Sequence, residues 1–322
     1  MIEEKDGMKM LELAIIGGGP AGYTAGIYAQ RGGVKFTLFN AGVAGGQIAT
    51  TDRLENYTGI PSISGMEFSQ KLVEHAESLG FEAEPTLIEK LEVDENGITL
   101  TDEDDELYRV GMVILATGAA HRPFPIEGAA KYNGRGLSYC ATCDGNFYRN
   151  QDVVVVGGGD TALEEALYLA KICRKVYLVH RRHEFRGVQV LQWRVAADPN
   201  IEVLLPNVPH AIVGENGVDG LTIKNVETGE LRTLEVTGIF SALGVIPNSE
   251  LVKGICDLNN GGYVITDQRM FTSNQRILAA GDVVASPLRQ VSVGVGHGAI
   301  AAEQARLWID EHCNIDALRK HK

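Results

Sequence analysis

Two cysteines three positions apart are the residues of this chain best suited to redox chemistry. Cys140 and Cys143 form a C-x-x-C pair that is followed at once by Asp144. Such a pair can close a redox disulfide, and its surroundings can lower a thiol pKa until thiolate forms near neutral pH. A carboxylic acid beside the pair can carry a proton to a leaving thiolate. The spacing therefore predicts a dithiol–disulfide centre with Asp144 as its acid–base group.

Half of a zinc site is the alternative interpretation of the same spacing. The chain has no second C-x-x-C and no C-x-x-H, and its other cysteines, Cys173, Cys256 and Cys313, are scattered. A structural zinc needs four such ligands at compact spacing, so zinc is disfavoured. We expect these three cysteines to be structural, buried thiols and the chain to bind no metal.

A glycine-rich loop near the start of the chain has the spacing of a dinucleotide site. The apolar run 11–16 leads into Gly17-x-Gly19-x-x-Gly22, and the helical stretch 23–30 follows. In this setting the glycines allow a tight turn, close approach to a pyrophosphate and close packing of helix on strand. The loop residues expected to contact the ligand are Gly17, Gly19, Pro20, Ala21 and Gly22.

The acidic residue that usually holds the ribose about 20 positions later is missing from this first unit. The predicted strand Phe36–Phe39 ends at Asn40 instead. An amide can still accept and donate hydrogen bonds, so we include Asn40 among the cofactor-binding residues.

The same pattern returns at Gly157-x-Gly159-x-x-Ala162, 140 residues after Gly17. Its second strand, Lys175–Val179, is followed by a basic turn where an NAD site would carry an acid. Arginines there suit a 2′-phosphate, which predicts NADP(H); an exposed basic turn is the alternative. The residues expected at this site are Gly157, Gly159, Asp160, Thr161, Ala162, His180, Arg181, Arg182 and Arg186.

Length and charge limit the remaining possibilities. The chain has 322 residues, enough for about two domains, and 42 acidic against 29 basic residues give a net charge of −13. A nucleic-acid partner is disfavoured, because phosphate binding requires a basic surface. No apolar run reaches the roughly 18 residues of a membrane span, and the charged segment 1–9 does not have the pattern of a signal peptide. We expect a cytoplasmic location and no membrane partner.

Two dinucleotide loops around one C-x-x-C, in this order, resemble the low-molecular-weight, prokaryotic-type thioredoxin reductases. The resemblance covers essentially the whole chain. Further segments that match the family are Ala44–Gln47, Glu55–Tyr57, Ala116–Gly118, Ser138–Tyr139, Gly281–Val283 and Arg289–Val291.

The resemblance implies an α/β fold of two Rossmann-like, three-layer ββα dinucleotide-binding domains. An FAD domain formed by residues 1–120 and 249–322 would be interrupted by an NADPH domain at 121–248 that carries the C-x-x-C pair. Besides the first loop and Asn40, the residues implied at the FAD are Gly45, Gly46, Gln47, Asn56, Ala116, Thr117, Gly118, Gly281, Asp282, Arg289, Gln290 and Val291.

The resemblance also implies the activity. Hydride would pass from NADPH to FAD, and electrons would then pass to the Cys140–Cys143 disulfide and to an oxidised thioredoxin. Cys143 would face the flavin, Cys140 would attack the partner, and Asp144 would be the acid–base catalyst. A homodimer is typical of the family.

Three alternatives remain open. A related reductase that serves a peroxiredoxin usually carries an extra N-terminal thioredoxin-like segment, whereas only about ten residues precede the first predicted strand here. A ferredoxin-type enzyme of this fold lacks the dithiol, and the arginines disfavour another electron donor. A nucleotide-dependent redox sensor would show no turnover.

Overall fold

The computed structural model describes residues 3–5, 8–51, 54–95 and 97–312. The thiol expected at Cys313, the turn position Asn96 and most of the charged segment at the N-terminus lie outside the residues whose side chains can be described.

The described residues form a mixed α/β fold. The helices are α1 (Pro20–Arg31), α2 (Gly65–Ser78), α3 (Ala141–Asp144), α4 (Asp160–Leu169), α5 (Gln189–Ala197) and α6 (Val291–His312). The strands are β1 (Glu3–Lys5), β2 (Met8–Ile16), β3 (Phe36–Phe39), β4 (Ala83–Glu84), β5 (Ile88–Asp94), β6 (Gly97–Asp102), β7 (Leu107–Leu115), β8 (Ala119–His121), β9 (Leu137–Ser138), β10 (Asp152–Gly157), β11 (Lys175–Val179), β12 (Ile201–Leu204), β13 (Asn207–Val213), β14 (Gly220–Asn225), β15 (Leu231–Leu234), β16 (Gly238–Ala242), β17 (Val245–Pro247) and β18 (Ile277–Ala279).

The chain divides into two compact units, Met1–Ala120 with Ile246–Lys322, and His121–Val245. The sheet of the first unit has the order β4-β3-β2-β7-β6-β5, with β1 paired to β2 and β18 paired to β7. Strand β2 contributes to the packing on both faces of this sheet, because successive side chains of a strand point to opposite sides. Leu13 and Ile15 pack in the core with residues of α1 and α6, whereas Ala14 and Ile16 pack with residues of β5 and β6.

The second unit has a five-stranded parallel sheet, β12-β11-β10-β16-β9, and an antiparallel sheet, β13-β14-β15. Its central strand β10 is buried on both faces, as parallel strands usually are. Val153 and Val155 pack with residues of α4 and α5, and Val154 and Val156 pack with the antiparallel sheet. The unit is therefore a three-layer arrangement of sheet, sheet and helices.

The prediction of an α/β fold with two Rossmann-type units is confirmed. Each glycine loop follows a buried parallel strand and begins a helix, β2 to α1 in one unit and β10 to α4 in the other. No helix among the described residues is long and apolar enough to span a membrane.

Candidate redox and nucleotide sites

The predicted redox pair forms a disulfide in the structure. Cys140 and Cys143 are joined with their Cα atoms 5.3 Å apart, and α3 is the short turn of helix between them. The N–H of Cys143 donates to Cys140 Sγ at 3.2 Å. The pair thus lies in one turn, where the backbone N–H of Cys143 faces Cys140 Sγ and can stabilise a thiolate there once the disulfide is reduced.

Asp144 is held beside the pair by a serine. Ser138 Oγ donates to Asp144 Oδ2 at 2.6 Å, and it accepts the N–H of Cys140 at 3.1 Å. Ser138 ends strand β9 in the core of the unit, so its hydroxyl is fixed in place. The structure thus brings the predicted acid–base group and the two cysteines into one hydrogen-bonded group.

The other described cysteines are free and buried. Burial raises the pKa of Cys173 to about 11 and also raises the pKa of Cys256 above its ordinary value. Both thiols therefore stay protonated near neutral pH, which makes them poor nucleophiles. For these two residues the expectation of structural thiols is confirmed.

The first glycine loop shows which of its glycines the protein itself requires. Gly17 has φ +114°, and a Cβ there would lie 2.3 Å from the carbonyl oxygen of Ala116. A Cβ on Gly22 would lie 1.8 Å from the carbonyl oxygen of Gly17. At Gly19 the nearest atom would be 4.0 Å away, so the protein leaves open space there. This space would let a pyrophosphate approach the backbone closely.

The second loop repeats this arrangement. A Cβ on Gly157 would lie 2.6 Å from the carbonyl oxygen of Ala242 and 2.8 Å from Ala162 Cβ, but at Gly159 no atom would lie within 4 Å. Gly19 and Gly159 are the N-cap residues of α1 and α4, and no side chain caps either helix. Both helices therefore offer free N–H groups to an anion, and both loops fit a dinucleotide pyrophosphate.

Several residues expected at the FAD lie against the first loop. The N–H of Gly45 donates to the carbonyl oxygen of Gly18 at 2.7 Å, and Gly46 and Gln47 begin the adjoining 3-10 turn. Asn40 Oδ1 accepts the N–H of Gly18 at 3.1 Å. The structure thus uses the Asn40 carbonyl to hold the loop itself.

The two strand ends near the loop carry the other expected residues. Thr117 Oγ1 donates to the carbonyl oxygen of Asn248 at 2.6 Å, and Asn248 Nδ2 donates to that of Thr117 at 2.8 Å. Ala116 and Gly118 flank this pair directly after β7. Gly281 lies against the start of α1, where a Cβ on it would be 3.0 Å from Ala21 Cβ.

Asn56 contacts the expected residues 289–291, although it is far from them in sequence. Asn56 Nδ2 donates to Gln290 Oε1 at 2.9 Å, and Val291 begins α6. The Arg289 guanidinium lies over the Tyr263 ring, 4.1 Å from its centroid, and Arg289 Nε is buried without a hydrogen-bond partner in the described structure. Burial raises the pKa of Asp282, and the charge of Arg289 opposes that shift.

The basic turn of the second unit carries three guanidinium groups that are exposed to solvent. Arg181, Arg182 and Arg186 are exposed, and no hydrogen bond or ion pair of their guanidinium groups is present within the described residues. Unpaired, exposed guanidinium groups are suited to a phosphate. The N–H of Arg186 donates to the carbonyl oxygen of Gly158 at 2.7 Å, which fixes the turn against the glycine loop.

His180 and Asp160 pack between this turn and the loop. The His180 ring lies so close to Gly158 that a Cβ there would be 2.3 Å from Nδ1. Burial lowers the pKa of His180, a backbone hydrogen bond with Glu184 opposes that shift, and the charges of the three arginines add to it, so the neutral ring is favoured. Asp160 Oδ1 accepts the N–H of Val188 at 2.7 Å, and Thr161 is exposed on the first turn of α4.

Some residues at these sites were not expected from the sequence. Asn248 and Tyr263 contact expected residues from distant parts of the chain, and no local pattern indicates that. Glu165 was also missed, although its signal is visible: it follows the buried Ala162 by three positions and is next to the buried Ala166, so it falls at the edge of the buried face of α4.

Comparison with known proteins agrees with this geometry. The family model described as pyridine nucleotide-disulphide oxidoreductase matches residues 11–302. The chain is 40% identical over 311 residues to a thioredoxin reductase of Helicobacter pylori, across 94% of this chain and 100% of the relative. A thioredoxin reductase of Bacillus subtilis is 36% identical over 304 residues, across 94% and 96% of the two chains.

A solved structure gives the same result. The crystal structure of thioredoxin reductase from Streptococcus pyogenes matches with a TM-score of 0.90 at 38% identity, over 94% of this chain and 99% of that one. The chain therefore belongs to the pyridine nucleotide-disulphide oxidoreductase family, and within it to the thioredoxin reductases.

Proposed function

We propose that this chain is an NADPH-dependent thioredoxin-disulfide reductase that uses FAD. The observation that carries the proposal is the Cys140–Cys143 disulfide, which lies in a unit with one dinucleotide loop while the other unit has a second. A family of this kind uses a flavin and a pyridine nucleotide, which accounts for two loops in one chain.

The space at Gly19 and Gly159 and the exposed arginines of the basic turn support an assignment of one nucleotide to each unit. FAD is assigned to the first unit, on the Gly17–Gly22 loop with Gly45, Gly46, Asp282 and Arg289 near it. NADPH is assigned to the second unit, with its 2′-phosphate on Arg181, Arg182 and Arg186. When bound, FAD would take hydride from NADPH and supply an electron pair for reduction of the disulfide.

The reduced cysteines would then carry the electron pair to the partner. The Cys140 thiolate attacks a sulfur of the thioredoxin disulfide, so a mixed disulfide forms and a thioredoxin thiolate leaves. Cys143 then attacks Cys140 Sγ, which restores the Cys140–Cys143 disulfide and releases the second thioredoxin thiolate. Asp144, oriented by Ser138, supplies protons to the leaving thiolates.

The setting of the reaction is part of the same proposal. We assign the protein to the cytoplasm as a homodimer that uses thioredoxin as its protein substrate. Two described cysteines are free thiols, as is usual for a protein of a reducing compartment. Light scattering after gel filtration would test the dimer.

Steady-state turnover tests the function. Purified protein would be mixed with NADPH or NADH and a panel of oxidised thioredoxins, and nucleotide oxidation would be followed by absorbance. We expect rapid oxidation of NADPH with at least one thioredoxin and much slower oxidation of NADH. A yellow, flavin-containing protein with no turnover of any thioredoxin would favour the redox sensor, and a preference for NADH would overturn the role of the arginines.

A further inference from the structure

The half-buried side chain of Glu165 lies behind the redox pair. Glu165 is on the face of α4 whose neighbours Ala162, Ala166 and Leu169 pack in the same core as Ala141. Glu165 Oε1 accepts the N–H of Ala141 at 3.3 Å. Its other oxygen, Oε2, is buried and has no hydrogen-bond partner in the described structure.

Packing alone does not account for a glutamate at this position. A buried polar atom without a partner costs free energy, and the residues of α4 next to Glu165 that enter the core are apolar. Burial raises the pKa of Glu165 to about 7, against the opposite effect of the Ala141 hydrogen bond. A costly, titratable group beside reactive residues is a candidate for a functional role.

The contact of Glu165 reaches the reactive sulfur through one turn of backbone. The N–H of Ala141 is bound by Glu165, and the next N–H groups of the turn face Cys140, with Cys143 N–H on Cys140 Sγ at 3.2 Å. The bond to Glu165 fixes the peptide plane that directly follows Cys140. It therefore keeps Cys143 N–H directed at Cys140 Sγ, where donation stabilises a thiolate.

We propose that Glu165 is a positioning residue that acts through the Ala141 N–H to keep the reduced Cys140 thiol reactive. The proposal rests on the proposed function for its biological meaning. It assigns to Glu165 hydrogen-bond acceptance only, and it places no contact of Glu165 with the sulfur or with a cofactor.

Two substitutions of Glu165 separate acceptance from packing. Glu165→Gln keeps a carbonyl oxygen that can accept the Ala141 N–H, whereas Glu165→Met keeps an unbranched side chain of similar length and removes the acceptor. Glu230→Leu, which removes an exposed carboxylate from the same unit, is the matched control. Full-length protein would be reduced with dithiothreitol and freed of it, and alkylation of Cys140 by iodoacetamide would be timed by peptide mass spectrometry.

We expect Glu165→Met to slow alkylation of Cys140 by about tenfold, the size of one lost hydrogen bond that stabilises a charge. Glu165→Gln and Glu230→Leu should stay within about twofold of the wild type, since both leave an acceptor for the Ala141 N–H. If Cys140 of Glu165→Met were alkylated at the wild-type rate, the proposal would be overturned. So would a Gln variant as slow as the Met variant, because it retains the acceptor.

A change on the donor side covers the case in which Glu165→Met does not fold. Ala141 is the first residue of α3, a position that accepts proline, and Cys140 before it has the extended backbone that precedes proline. Ala141→Pro removes the N–H and adds a ring at a buried position, so its fold is checked first by circular dichroism. The folded variant should slow alkylation of Cys140 as Glu165→Met does. Unchanged alkylation in a folded Ala141→Pro variant would overturn the proposal.

This experiment is independent of the proposed function, because alkylation needs neither nucleotide nor thioredoxin. Wild-type protein that alkylates quickly but never reduces a thioredoxin would refute the proposed function and leave the role of Glu165 in place. In turnover, Glu165→Met should lower kcat with thioredoxin while the KM for NADPH is unchanged. A purely structural defect would change both.

Discussion

Single residues in this molecule have roles that their surroundings decide. Five cysteines occur in the chain. Among the four that the structure describes, Cys140 and Cys143 share a turn in which the Cys143 N–H donates to Cys140 Sγ. Cys173 and Cys256 are enclosed by the core, which raises the pKa of each thiol. The C-x-x-C spacing identified the disulfide pair, and burial explains why the Cys173 and Cys256 thiols are poor nucleophiles.

The charge of one arginine tests the nucleotide assignment. Arg181→Ala should raise the KM for NADPH by about tenfold or more, because a charge-assisted hydrogen bond to the 2′-phosphate would be lost. The KM for NADH, which has no 2′-phosphate, should not change. Arg194→Ala, an exposed arginine on α5, is the matched control. Equal effects of Arg181→Ala on both nucleotides would refute a 2′-phosphate contact.

The pKa of Glu165 predicts a pH-dependent stability. Burial raises it from 4.5 to about 7, so the folded state holds a proton that the unfolded state releases. The free energy of unfolding therefore falls as pH rises from 4.5 to 7, by up to about 3 kcal/mol. Glu165→Gln should lack this fall, so its stability relative to the wild type should rise over the same range. The free energy of unfolding of both proteins would be measured in urea at each pH. A constant difference between the two proteins across this range would contradict the raised pKa.

Among the elements, each glycine loop has positions that the fold requires to be glycine and one position where the fold leaves space for a side chain. Gly22 is packed against the carbonyl oxygen of Gly17, whereas Gly19 faces open space. The division is invisible in the G-x-G-x-x-G pattern itself, which treats all three alike. Only the distances of the structure separate them.

Alanine substitution should therefore impair folding at Gly22 and flavin binding at Gly19. Gly22→Ala places a Cβ 1.8 Å from a backbone oxygen, so the protein should fold poorly and be recovered largely as aggregate. Gly19→Ala should fold, with a circular dichroism spectrum like that of the wild type, but retain much less flavin. Full flavin content in Gly19→Ala would refute a pyrophosphate at this loop.

Much of the element order could be predicted from sequence. The strand Phe36–Phe39 and the strand Lys175–Val179 have the predicted bounds, since β-branched and aromatic runs end at clear turn residues. Helix α6 begins at Val291, and its first turns contain glycines, which disfavour a helix and hide its start in the sequence. Helix α5 and strands β12 to β15 were not predicted, since they lack a clear period.

The same limit applies to the sites. Residues inside a motif could be found by spacing, but contacts such as Asn56 with Gln290 and Thr117 with Asn248 join distant segments. Their partners depend on the sheet topology, which a single sequence does not reveal. Glu165 is an intermediate case, because its position on helix α4 can be predicted from the sequence and its contact with Ala141 cannot.

At the scale of the whole molecule, the two units have separate cores, so each nucleotide should stabilise its own unit. A ligand that binds only the folded state adds about 2.7 kcal/mol at a hundred times its Kd. Removal of flavin should speed hydrogen exchange in peptides from 8–51, and added NADP⁺ should slow it in peptides from 152–188. Mass spectrometry of exchanged peptides measures both. A uniform change over both units on addition of either ligand would contradict the assignment of one nucleotide to each.

In the proposed mechanism, electrons reach thioredoxin only through Cys140 and Cys143. The most direct measurement is NADPH-driven reduction of a thioredoxin by wild type, Cys140→Ser and Cys143→Ser, with ferricyanide as a control acceptor that takes electrons from a flavin without the disulfide. We predict that each serine variant loses thioredoxin turnover by at least about a thousandfold and still reduces ferricyanide. Full thioredoxin turnover in either variant would contradict the account.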